Sequence, residues 1–228
     1  MRTPLLFSLL FGLIGAAILI WLGVWQMQRL EWKQGILSNI ENRISAAPVA
    51  LPDTPDPEAD KFRPIKVNGR VSDDEIHVLV SQKHVGAGYR IISAFETETG
   101  RRVLLDRGFV KVDQKNAPRP IGVTDVTGNL HWPQETGSSI PAPDFKAEIW
   151  FARDVPAMAK HLETEPLLIV ARETSFENDP VAPLPVDTAG IPNDHLQYAM
   201  TWFSLAVIWI LMTFTFLWRA RGAQKGSS

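Results

Sequence analysis

Two long apolar stretches bracket a polar middle. Residues 5–24 read LLFSLLFGLIGAAILIWLGV and carry no ionisable side chain. At about 1.5 Å rise per residue, some ~20 helical residues cross a hydrocarbon core of about 30 Å, so the stretch predicts a transmembrane helix. Residues 198–218, YAMTWFSLAVIWILMTFTFLW, are equally uncharged, and aromatic residues at both ends suit the two membrane interfaces. A buried helix of a soluble protein would interrupt such a run with a polar face. A secretory signal has a shorter apolar core of about 7–15 residues and a small-residue cleavage site. Only Ala16-Ala17 resembles such a site, and the following WQMQRLEWK offers none, so the first stretch is expected to stay as an anchor.

Beyond the first span, Leu30, Leu37 and Ile44, with Ile36 and Ile40 beside them, recur at helical spacing; the helix is expected to run on and pack on the central domain. PVALPDTPDPEAD, residues 48–60, has too many prolines for a helix or a central strand and reads as an extended connector. The period then changes. Short β-branched runs predict strands at 65–71, 76–81, 89–96 and 102–112, the last two forming a hairpin about Glu98-Thr99-Gly100, with further strands at 126–131, 148–153 and 167–173. A short helix is expected over 156–162, where Pro156 fits the first turn. The whole is a membrane protein of the α+β class: two transmembrane helices flank a mainly antiparallel β sheet or barrel. By residue the divisions are a lead over 1–4, a span over 5–25, a helical extension and Pro-rich linker over 26–60, a β-rich domain over 61–175, a second Pro-rich linker over 176–194, a span over 195–218 and a basic tail over 219–228.

Charge supplies the orientation. Arg219, Arg221 and Lys225 follow the second span with no acid among them, whereas residues 176–195 hold no lysine or arginine, which predicts a cytoplasmic tail. The first span argues weakly the other way, with Arg2 against Arg29, Lys33 and Arg43. Two spans put both termini on one side, so the domain is expected outside the cytoplasm. No Arg- and Ser-rich transit segment precedes the first span, which directs the expectation to a bacterial inner membrane with a periplasmic domain. The formal net charge of −2 over 228 residues suggests no nucleic-acid partner, and the lack of cysteine fits an extracytoplasmic space without requiring one.

Candidate chemistry is sparse. His77, His84, His131, His161 and His195 show neither HxH nor HExxH spacing, Ser138-Ser139 lacks a nucleophile-elbow context, and there is no Gly-rich phosphate loop. Asp73-Asp74-Glu75 reads most simply as a solvated turn, and His77 and His84 as surface or locally hydrogen-bonded residues. His195 differs by position, at the outer edge of the second span. At about 100° per residue, His195, Tyr198, Trp202, Ala206 and Trp209 fall near one stripe. Such a stripe suits a flat apolar ligand such as haem, whose iron takes imidazole, or else a helix–helix seam with an interfacial histidine.

Three motifs together resemble the surfeit locus protein family of cytochrome c oxidase assembly factors: LGVWQMQRLEWKQGIL leaving the first span, GYRIISAF with VLLDRGFV in the middle, and NDHLQYAMTWFSLA entering the second. The family's central motif more often reads Asn-Arg-Gly-Trp-Val, so Asp106 and Phe109 depart from it, and Asp194 stands where a second asparagine is common. The resemblance covers nearly the whole chain. It implies a non-catalytic role in delivering haem a to subunit I of a haem-copper oxidase or stabilising it there, with His195 as ligand to the haem iron and Trp202 its neighbour. Tyr198 joins them through the stripe, and Arg29 is expected to anchor a haem propionate or a lipid headgroup. The partners implied are cytochrome c oxidase subunit I, haem a synthase and the lipid bilayer. The alternative is a membrane-tethered chaperone for the oxidase subunit that binds no haem.

Overall fold

The computed structural model describes residues 3–83 and 85–225. Arg2 and His84 lie outside the described residues, as does the side chain of Lys225. In chain order the elements are α1 (Thr3–Ile44), β1 (Pro64–Gln82), β2 (Gly86–Thr97), β3 (Arg102–Lys111), β4 (Gly122–His131), α2 (Val155–His161), β5 (Leu168–Thr174) and α3 (His195–Lys225). They form two compact units, one of residues up to Asn39 together with those from Ala189, the other of Ile40–Thr188.

The first unit is a helix pair. Pro4 sits in the first turn of α1, where its missing N–H costs no helical bond, and Arg43 in the last turn complements the helix dipole. Both α1 and α3 contain windows long and apolar enough to cross a bilayer. Most of their large apolar side chains, among them Phe7, Leu13, Trp21, Ile208, Phe214 and Trp218, are exposed. A soluble protein would cover them; hydrocarbon would not need to. Where the helices meet, small residues bring the backbones close. Ala199 and Ala206 are buried on α3, and a Cβ added to Gly15 would stand 2.5 Å from Trp209 Nε1, or one added to Gly23 2.6 Å from the Phe203 ring.

The second unit is a closed barrel in the order β1-β2-β3-β5-β4. Every pairing is antiparallel except β3 with β5. The β2–β3 hairpin turns where expected, with Gly100 at φ 80 supplying the left-handed residue. The strands expected at 65–71 and 76–81 are one strand, interrupted only by a register shift between Val71 and Glu75. Asp73-Asp74-Glu75 is therefore not a turn. A bulge lets the strand continue while polar side chains face outward, where Asp74 meets Arg102 and Glu75 meets His77. The strand expected at 148–153 is also absent. Glu148 takes a left-handed φ of 53, and the segment makes only isolated bridges at Ile149 and Trp150 because Trp150 turns into the core beside Met158.

Both faces of the strands are buried. Ile65, Phe95, Val103, Leu105, Val126, Leu130 and Ile169 cluster from all five strands, as a barrel interior requires. The alternate residues Ile92, Leu104 and Leu168 pack outward against Trp150, Val155 and Met158, so α2 and the Trp150 segment cover that face. Asp154 caps α2 by accepting from the Ala157 N–H at 3.1 Å, and Pro156 follows in the first turn. The last residues of α1, from Ile40, belong to this unit. The Ile44 carbonyl accepts from Asn129 Nδ2 at 3.0 Å and Arg172 Nη1 at 3.3 Å, and Thr188 donates to Glu41 at 2.7 Å.

Candidate functional site

The site begins where α3 begins. Pro192 precedes it and excludes earlier helix, and the Tyr198 N–H closes the first turn on the Asp194 carbonyl at 3.1 Å. His195 is thus the first helical residue. Its Nδ1 lies 2.8 Å from Oε1 of Gln26, a residue of α1 that is only 9% exposed. Among the described residues Nε2 makes no protein hydrogen bond.

Below His195, Trp202 and Trp209 are partly buried and Ala206 is buried, so the stripe of imidazole, indole and alanine faces α1. Tyr198 is 55% exposed, and Ala199, 1% exposed, occupies the centre of that face. The helical angle explains this. Tyr198 lies about 60° behind His195 and Ala199 about 40° ahead, on the side toward which Ala206 and Phe203 also drift. On α1, Arg29 is exposed, with its guanidinium 4.7 Å from the Trp32 ring centre and 6.0 Å from that of Trp25. The i, i+4, i+7 spacing sets this cation between two exposed indoles, an arrangement suited to an interface and able to receive an anionic group. The residues brought together are thus His195 and Gln26, with Trp202 along the same face; Tyr198 and Arg29 present themselves to the surroundings. Gln26 lies within the first of the three motifs with no role read for it, because a hydrogen bond between residues 169 positions apart has no signature in local spacing.

The barrel holds a second polar cluster. Asp106, with no exposed surface, accepts from Arg90 Nη1 at 2.5 Å and lies 3.4 Å from Arg153, which also reaches Glu135 through Nε at 3.0 Å. Burial pushes the Asp106 carboxyl up, with the two guanidinium groups opposing it. Burial also works against the charges on Glu135 and Arg153, but their mutual hydrogen bonds and attraction outweigh it: the Glu135 carboxyl lies below the usual range and Arg153 is held more firmly protonated. These four side chains cross-link β2, β3 and the segment after β4. Asp106 is the shared acceptor, and Phe109 packs where a Cβ on Gly88 would stand 2.5 Å from its ring. Gly108 between them needs its φ of 128 and its missing side chain, since a Cβ would meet the Ala182 carbonyl at 2.1 Å.

The other described histidines are packing residues. His77 is buried and bonded to Glu75 at 2.8 Å, His131 stacks on Phe62, and His161 lies against Trp150 and Phe145.

The sequence matches the model of the SURF1 family over residues 13–207. Surfeit locus protein 1 of Gallus gallus is 30% identical over 230 residues, covering 90% of this chain and 72% of that protein. That of Rattus norvegicus is 27% identical over 207 residues, 81% of this chain and 67% of that one. A SURF1-like protein of Rickettsia felis is 29% identical over 214 residues, 88% of this chain and 92% of its own length.

Proposed function

Because the chain belongs to the SURF1 family, we propose that it is an assembly factor for a haem-copper oxidase that holds haem a for subunit I. The observation that supports this most is His195. An imidazole whose Nδ1 is engaged and whose Nε2 makes no hydrogen bond among the described residues is a fitting axial ligand, and it stands at the head of an aromatic stripe. Bound haem would supply the iron that the imidazole coordinates. Trp202 would give the macrocycle a flat apolar wall, Tyr198 would flank it, and Arg29 between its two indoles would receive a propionate. The role is one of binding and hand-over, with haem a synthase as the source of the cargo. In this reading α1 and α3 span a bacterial inner membrane, both termini are cytoplasmic and the barrel is periplasmic.

The tight glycine-lined packing of α1 on α3 supports a second reading, in which the stripe is a helix seam and the protein chaperones the oxidase subunit without haem. Absorption spectroscopy separates the two. Detergent-purified protein from cells making haem a should show a Soret band, and His195→Ala should bind haem more weakly with an altered band while inserting normally. Wild type without haem under those conditions would favour the chaperone.

A further inference from the structure

We propose that Gln26 is the positioning residue for His195: its side-chain carbonyl holds the proton on Nδ1 and so leaves Nε2 as the bare nitrogen. The inference rests on reading His195 as a ligand, and deepens it by naming what prepares the ligand. With Gln26 Oε1, an acceptor, 2.8 Å from Nδ1, the arrangement corresponds to an Nδ1–H donating to the amide carbonyl. A neutral imidazole has one N–H; the other nitrogen then offers the lone pair a metal needs. The reverse arrangement, with the Gln26 amide donating to a bare Nδ1, would place the proton on Nε2 and close it to a metal.

Gln26 is well placed to impose this choice. It is buried on the face of α1 that also buries Gly23 and Leu30, where an amide left without a partner would be costly. Its partner is the first residue of α3. One bond therefore fixes both the tautomer and the direction of the ring. Because glutamine is neutral, it orients the ring without placing a charge beside it.

The test uses the full-length protein in nanodiscs. Nitrogen-15 NMR of histidine-labelled, haem-free protein, with His195 assigned by difference from His195→Ala, should show the Nδ1–H tautomer in wild type and a mixture in Gln26→Leu. In titrations with haem a, Gln26→Leu should bind about 10–100-fold more weakly while keeping the spectrum of a histidine-ligated haem. Gln26→Glu, nearly isosteric, should recover affinity and shift the midpoint potential negative, because a carboxylate acceptor makes the imidazole a stronger donor. A proton on Nε2 in wild type overturns the inference, and so does Gln26→Leu with unchanged tautomer, affinity and potential. Wild type that carries the Nδ1–H tautomer yet binds no haem would remove the haem reading and leave the role of Gln26 in setting the tautomer standing.

Discussion

The indole N–H of Trp209 donates to the backbone carbonyl of Gly12 at 2.9 Å. A helix-interior carbonyl already serves its own helix, so this second bond requires the backbones of α1 and α3 to come close, and glycine permits it. Around the contact a Cβ on Gly12 would stand 2.2 Å from Thr213 and one on Gly15 2.5 Å from Trp209. Gly15→Leu should therefore force the helices apart. The chain has no cysteine, so a Gly12→Cys/Thr213→Cys pair gives an unambiguous assay. The pair should oxidise readily, keeping the two ends joined after proteolytic nicking of the barrel, and Gly15→Leu should suppress that cross-link.

Asp106→Asn keeps the shape of the side chain but removes the charge shared by Arg90 and Arg153. Two partly buried guanidinium groups would then face one another with only Glu135 to balance them. The expected loss is about 3 kcal/mol of barrel stability, read as a lower urea midpoint in a fragment spanning Ile40–Thr188. That fragment should fold by itself with a β-dominated circular dichroism spectrum.

His131 gives the barrel an acid sensitivity. Burial, and then the nearby charges of Arg153 and Lys61, lower its pKa from 6.5 to about 4. The unfolded chain therefore binds a proton that the folded one refuses. Stability is full above about pH 6.5 and falls as pH drops toward 4, by up to about 3 kcal/mol before allowance for the part of the ring that water reaches. Urea titrations at several pH values should show this slope in wild type and a flatter one in His131→Phe, which preserves stacking on Phe62.

Topology is tested by reporters. An enzyme active only outside the cytoplasm should work when inserted at Gly137, an exposed position where an added side chain meets nothing, and should be silent when fused after Gly222. The opposite result would reverse the orientation read from Arg219 and Arg221.

Trp202→Ala should cost roughly 1–3 kcal/mol of haem affinity through lost aromatic contact, without removing the histidine ligand. Its spectrum should differ from that of His195→Ala. A spectrum identical to that of His195→Ala would mean that Trp202 acts by placing the histidine.

What the sequence determined by itself was whatever depends on near neighbours or on solvent. An uncharged run of membrane length, a proline-punctuated connector, the Gly100 turn and the Asp154-capped start of α2 are each decided within a few residues. The β-rich middle was legible from its short β-branched runs, and His195 stood out by its place at the edge of a span. Tertiary structure alone decided the rest. The acidic run at 73–75 looked like a turn because charge is local information, while the register that carries β1 through it is set by β2 and β4. Trp150 left its expected strand because a large apolar ring gains more in the core than on a sheet edge. Closure through the parallel β3–β5 pair, the choice of Ala199 over Tyr198 at the centre of the helix seam, and the bond from Gln26 to His195 all join residues far apart in the chain. Such pairings are selected by which surfaces can be buried together, and no local pattern records them.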